Sequence, residues 1–549
     1  MNFKKLILSF LVASLSVASF QTSAEPVTAN SAREIANGFV KSHAKATPGS
    51  LRAPAMADIM LAYAQPSSKL PKANLYYIFN IKGGGFVIVS GEDHAIPVLG
   101  YSDKGQIDVV NMPEQLNALL EMYREDIEYL LTHKVNIPKT FNQKLTEATP
   151  IVEPMMKTSW GYQEPYNNLC PALKGVRSKT GCSAVAMAQT FFFWQFPLSS
   201  DSLPAYYASR LGDTVPALPP TVFKYDKMLP SYSHWDTESQ QLIQDSYTEE
   251  EAYEVAKLLR YSGHFVMMNY SPVRSGPQTN RPAAIRNLGY SANAQTIRRK
   301  SYTDEKWLQL LHAELDAGNP VMYTAYNQGS DVGHVFMLDG YDSEDYFHMN
   351  FGWFGHGDGW YQISAITPTY VDETPRNYIG NNSFIKNLEP PLFCTINADV
   401  TANNGLMLLG GTFTPQAVGV KLSMTYRTLP FMFSLTDGQG NLVAVSEPMT
   451  LNRLTFENGT DISLPLTLPE ILPEGTYNLH LNYRTSDSEP LTQAITAEGQ
   501  FYVVGRFAKF GSPFGIDDVV VAIDTLINET SGSDITISDV TLLIDHLLK

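Results

Sequence analysis

The sequence predicts a multidomain α+β chain, and three observations carry that expectation. Its 549 residues allow about three or four domains. Up to about Pro390, segments with helical spacing alternate with short apolar runs of strand character. Beyond Pro390-Pro391 the chain changes to short apolar segments separated by turn residues, and it closes on an internal repeat.

At the N-terminus, Lys4 and Lys5 precede an apolar run from Leu6 to Phe20. Thr22-Ser23-Ala24 offers small residues for cleavage before Glu25, so residues 1–24 read as a signal peptide for export. No Cys follows the run, which argues against a lipoprotein, and no later stretch is apolar enough to span a bilayer. The net charge of −16 speaks against nucleic acid or an anionic membrane as partner. Cys170, Cys182 and Cys394 are too few for a disulfide framework, and their odd number leaves at least one thiol over.

Residues 25–145 read as a separate domain. Ala32 to His43 predicts a short helix, and Asn74–Ile81 and Phe86–Ser90 predict two strands joined at Gly83-Gly84-Gly85. Leu116 to Leu131 has apolar residues at helical spacing. His94 reads as an ordinary loop histidine.

Residues 146–391 carry the chemistry. A turn-rich stretch from Trp160 to Pro171 leads into Lys179-Thr180-Gly181-Cys182, after which small residues, then Phe191, Phe192 and Trp194, predict a helix stopped before Pro197. Cys182 then stands at a helix N-terminus, where the partial positive charge favours thiolate, the nucleophilic form. A Cys170–Cys182 bridge would waste that position. Helices are expected over Thr248–Tyr261 and Asp304–Ala317. Gly333–Asp339 and Tyr346–Phe351 predict a hairpin turning around Asp342. Centred there, His334 lies across from Asn350, with Cβ atoms about 4.5–5.5 Å apart, and the Asn oxygen can fix the imidazole tautomer. Cys, His and Asn together suit thiol-based acyl transfer, with the imidazole as base and then acid. An oxyanion hole is expected from the Cys182 N–H and the Gln163 side chain. His348 and His356 compete for the role of base, on a strand face and in a glycine-rich loop.

These residues resemble the streptopain (interpain-like) family of papain-fold cysteine peptidases. The resemblance rests on Trp160–Pro171, Thr180-Gly181-Cys182 with the helix running to Gln189, Gly333-His334, Asp339-Gly340 and Phe347–Trp353 continuing to Asp358-Gly359. Tyr77–Tyr101 is similar to the family's propeptide, so the likeness covers about 25–390. It implies a two-lobed papain-like catalytic domain in a zymogen of an endopeptidase. Its own N-terminal prodomain would serve as intramolecular inhibitor until proteolysis near Lys144–Val152. It implies Cys182 as nucleophile, His334 as base, Gln163 at the oxyanion hole, and Asn350 or Trp353 orienting or shielding the histidine. Protein substrates, an apolar preference two residues before the cut, and no cofactor or metal go with it. The usual Asn-Trp-Gly-Trp-Gly-Gly reads Asn350-Phe351-Gly352-Trp353-Phe354-Gly355 here, and both differences fall on the expected histidine-side wall of the cleft.

For 392–505 the spacing of short strands predicts a β-sandwich, with Cys394 a buried strand thiol. In 506–549, Ile516–Ile527 recurs as Ile537–Leu548, similar to a dockerin-type pair. Counting ligand positions back from Asp518 meets Phe507, Lys509 and Gly511, which cannot hold calcium, and back from Asp539 meets Asn528, Thr530 and Gly532, which suit it poorly. The pair reads as degenerate, a contact module for a surface or protein partner, or a cap. The competing expectation for the whole chain is a non-enzymatic exported binding protein on a decayed peptidase scaffold.

Overall fold

The computed structural model describes residues 25–46, 55–133, 149–236, 239, 241–279, 281–326, 333–366 and 382–390, and parts of the chain from 394 to 548. The expected export signal, Lys144 and most of the terminal repeat lie outside the described residues.

The N-terminal region contributes α1 (Ala29–Ala46), β1 (Ile59–Pro66), β2 (Asn74–Ile81), β3 (Phe86–Ser90), β4 (Val98–Ser102) and α2 (Glu114–Thr132). The central region adds β5 (Pro150–Val152), α3 (Cys182–Trp194), α4 (Glu249–Phe265), α5 (Arg281–Asn287), β6 (Gln295–Arg298) and α6 (Asp304–Asp316). It ends with β7 (Val321–Tyr326), β8 (Gly333–Asp342), β9 (Phe347–Asn350), β10 (Gly359–Tyr361) and β11 (Ser383–Lys386).

The boundary expected near residue 145 is not a break in the sheet. One 11-stranded sheet runs β1-β2-β3-β4-β10-β9-β8-β7-β11-β6, with β5 beside β8. The N-terminal and central regions join where Tyr101 and Gly100 of β4 pair with Trp360 and Tyr361 of β10. Strand β2 is an almost continuous apolar run because both its faces are covered. Tyr77, Phe79 and Ile81 face α1, in a core with Phe39 and Val40. Tyr76 and Ile78 face the other way, into a core with Leu119, Tyr123 and Ile127 of α2. That second core continues into Trp307, Phe336, Phe347 and Phe351 of the catalytic region. The N-terminal region therefore lacks a core wholly its own on that face. Tyr123 Oη seals the junction, donating to the backbone oxygens of Leu99 (2.9 Å) and Gln362.

The second lobe packs around α3 and α4, with Met187, Phe191, Leu258 and Leu259 in one core. Helix α3 is apolar on nearly all sides because it is buried on nearly all sides. It ends at Trp194 with Gln195 in the left-handed region, φ 50°. Helix α4 opens on a capping box: Thr248 accepts from the Glu251 N–H, and Glu251 accepts from the Thr248 N–H. Together these give the α+β, two-lobed papain-like architecture. Farther on, strands Gln416–Leu422, Leu429–Thr436 and Tyr477–Tyr483 belong to two sheets that share Val420, Phe431, Phe433, Leu479 and Leu481 in one core. The side chain of Cys394 lies outside the described residues.

The hairpin does not turn where the sequence predicts. Strand β8 continues through Asp342, and Met337, not His334, faces Asn350. Asp342 Oδ1 accepts from the N–H groups of Glu344 and Tyr346, both at 3.0 Å, so the aspartate caps the turn from its first position. Asp345 takes the left-handed conformation at φ 61°. A register irregularity between Leu338 and Gly340 adds a further shift.

Candidate active site

Gly181 precedes α3 with φ 87°, a conformation that favours glycine, and Met268 Sδ lies 2.9 Å from where a Cβ would be. The Gly181 carbonyl accepts from Ala184 and Val185 N–H, starting the helix so that Cys182 is its first residue. Cys182 is partly exposed and Cys170 is buried, and both thiols are free; the pair forms no bridge. Burial in an apolar site pushes the Cys170 thiol up to about 12, so it stays protonated and inert.

A cleft of about 480 Å³ lies between the lobes and is lined by Cys182, His334, Tyr162, Trp353 and Arg281, among others. His334 reaches it because β8 begins beyond the end of β9. The histidine pairs only with the small Ala325 of β7 and is left overhanging the cleft. Its ring is held by charges on both sides. Arg274 Nη2 donates to Nε2 at 3.3 Å, which leaves the proton on Nδ1, and Nδ1 lies 3.7 Å from Glu114 Oε2. Burial, then Arg274, holds the imidazole below its ordinary range, with Glu114 opposing. Glu114 is the first residue of α2, so it comes from the N-terminal region. Among the described residues no hydrogen bond joins His334 to Cys182 or to Asn350.

Asn350 instead works beneath the cleft. Its Oδ1 accepts from Gln189 Nε2 (3.2 Å) and from the Gly352 N–H (3.0 Å), and its Nδ2 donates to the Thr158 carbonyl at 2.5 Å. It thereby ties α3 to the turn that carries Trp353. Trp353 lines the cleft and packs on Tyr162 with ring centroids 4.2 Å apart. Lys179 Nζ sits over the Tyr162 ring at 4.7 Å. Gln163 is exposed and not part of the lining; the Tyr162 ring takes the inward place, and the Gln163 carbonyl is used by the Asn167 N–H.

The two unusual phenylalanines do not form the wall. Phe351 is buried against Phe336 and Tyr361, with centroids 5.3 and 5.5 Å away. Phe354, at φ 58°, fills the space over Gly161, whose absent Cβ would lie 2.2 Å from the ring. Trp353 with Tyr162 makes the wall.

The other histidines have other partners. His348 Nδ1 bonds Asp339 Oδ1 at 2.6 Å. His356 accepts from the Asp108 N–H at 3.1 Å and stacks on Trp235. His94 lies in the loop between β3 and β4 as expected, but it is buried there between Glu92 and Asp93, 2.8 and 2.9 Å from its Nδ1. Sequence reasoning missed Arg274 and Arg281. Neither lies in a motif, and only the fold brings them to the cleft, Arg281 donating to Ser183 Oγ (3.2 Å) and Thr324 Oγ1 (2.9 Å).

The Peptidase C10 family model matches residues 160–361, and the model of the Spi protease inhibitor matches 24–127. Active interpain A of Prevotella intermedia is 30% identical over 94% of its chain and 43% of this one, with a TM-score of 0.37. The chain belongs to the Peptidase C10 family. C10 relatives include streptopain of Streptococcus pyogenes, 26% identical over 363 residues, covering 62% of this chain and 85% of streptopain. The thiol protease/hemagglutinin PrtT of Porphyromonas gingivalis is 23% identical over 83% of this chain and 51% of its own. The protein is thus a C10 cysteine peptidase in zymogen form, with an Spi-type prodomain that includes α1, β1–β4 and α2. Among the described residues no helix is long and apolar enough to cross a membrane.

Proposed function

We propose that the chain is exported through residues 1–24 and cleaves proteins internally after losing its prodomain, with Cys182 as nucleophile and His334 as general base. One observation carries this reading: Cys182, at a helix start, and His334, overhanging from β8, line one cleft that a prodomain carboxylate enters. Once Glu114 has left with the prodomain, Arg274 releases Nε2, the unprotonated nitrogen, and the imidazole takes the Cys182 proton. The thiolate then attacks the peptide carbonyl, and the imidazolium protonates the leaving amine before water releases the acyl group. The Cys182 N–H donates to the oxyanion. Gln163 joins it only by turning inward on activation. Asn350 positions Trp353 and does not orient His334. Catalysis by these groups needs no cofactor.

The domain limits proposed are 25–145, 146–391, 392–505 and 506–549. The last two are proposed as modules for a surface or protein partner. The decayed-scaffold alternative rests on Phe351, Phe354 and the long C-terminal third, and the two phenylalanines lie outside the cleft lining. In the test, an alkylating reagent should label Cys182 only after processing. Cys182→Ala should lower peptide cleavage by about three orders of magnitude or more and leave the chain at full length by intact mass. Near-normal cleavage by that variant would sink the proposal.

A further inference from the structure

Peptide hydrolysis leaves the charge of this cleft unused. Lys179, Arg210, Arg274, Arg281 and Arg298 all line it, in a protein whose net charge is −16. Their contacts are with neutral groups. Lys179 lies over the Tyr162 ring, Arg210 donates to the Arg274 carbonyl (3.1 Å), Arg274 to His334, and Arg281 to two hydroxyls. Arg298 is exposed on β6. Among the described residues none of the five is ion-paired, and the one carboxylate in the lining is Glu114. When the prodomain leaves, that carboxylate leaves with it.

Five like charges around one cleft raise its potential and draw anions, most strongly where walls exclude water. The anion must be small. The strongly acidic whole repels a polyanion, and the cleft already accommodates a carboxylate presented by a polypeptide. We infer that the processed cleft selects peptides bearing Asp or Glu beside the scissile bond, with Glu114 as the prodomain's stand-in for that side chain. This rests on the Cys182–His334 reading above.

The test uses enzyme autoprocessed from the full-length chain and paired fluorogenic peptides that differ only by Glu or Gln, scanned through each position around the cut. At one or more positions kcat/KM should favour Glu about fivefold or more at low salt, as charge-assisted contacts in a part-enclosed site allow. The ratio should shrink toward one at roughly 0.5 M salt and fall in Arg274→Gln or Arg298→Gln. Because it is a ratio, a general loss of activity in a variant does not move it. Ratios of one throughout, with the Gln peptides cleaved, overturn the acidic preference and leave the peptidase standing. A preference indifferent to salt and to both arginine variants also overturns it. Failure to cleave any peptide overturns both readings.

Discussion

His334 sits between two charges that proteolysis separates: Arg274 stays with the catalytic region and Glu114 goes with the prodomain. Glu114→Gln keeps the shape of the side chain and removes its charge. The Glu114 side chain is 49% exposed, so the attraction is screened and its loss modest. Autoprocessing should quicken about twofold to fivefold, read as the rate at which full-length protein disappears on a gel. An unchanged rate would mean that the carboxylate does not hold the ring. His356 makes a second contact between the two regions, accepting from the prodomain's Asp108 N–H, which requires a neutral ring. Burial pushes it down to about 4 from its ordinary 6.5, against the pull of the Asp108 carboxylate. A depressed histidine stabilises the docked state above its free value and loses that contribution as pH falls. Prodomain docking should therefore weaken as pH drops from 6.5 toward about 4. His356→Gln, whose Oε1 still accepts, should flatten that dependence in a pull-down of cleaved prodomain by the Cys182→Ala enzyme. An identical pH profile for both forms would exclude His356 as the source.

The start of α3 is where element geometry and chemistry meet. Gly181→Ala must hold φ 87° and press a methyl group against Met268. The expected cost is about 1–3 kcal/mol, with a drop in kcat because Cys182 moves with the turn. Thermal unfolding and peptide kinetics on the same samples check it, and unaltered melting with full activity would contradict it. In the hairpin, Gly340 and Asp342 look like a turn in sequence, but Gly340 is a strand position where a Cβ would lie 2.6 Å from the Val152 carbonyl oxygen of β5. The glycine serves close strand packing. Asn350 consequently stands under the cleft rather than beside His334.

At the scale of the molecule, the prodomain is four strands of the catalytic sheet and one wall of its core. Removing it uncovers the β10 edge and the Phe336–Phe347–Phe351–Tyr361 side that α2 covers. Loss of that apolar burial, at about 25 cal/mol per Å², outweighs the single carboxylate contact in the cleft. The processed enzyme should melt at least several degrees below the Cys182→Ala zymogen by calorimetry, on the order of 2–4 °C per kcal/mol. A 146–549 chain refolded without prodomain should recover poorly, and recover better with residues 25–145 added in trans. Equal melting points and equal recovery would show that the shared core contributes little.

Local pattern alone determined much of this protein. The strands at Asn74–Ile81 and Phe86–Ser90 fall where the apolar runs place them, and the helices around Leu116, Thr248 and Asp304 lie within a few residues of their predicted limits. Periodicity and caps are short-range, so sequence records them. The helix-start position of Cys182 is equally local, and the family likeness was legible in motifs that chemistry keeps intact. Tertiary structure decided the rest. The register that separated His334 from Asn350 depends on a bulge and an aspartate-capped turn. The place of Gln163 depends on which neighbour, Tyr162, packs inward. The continuity of prodomain and catalytic sheet depends on two facing pairs, Tyr101 with Trp360 and Gly100 with Tyr361. The five cations of the cleft come from loops, the start of α5 and strand β6, spread between Lys179 and Arg298. Contacts made across long sequence separation leave no local pattern, and the charge at His334 is made of them.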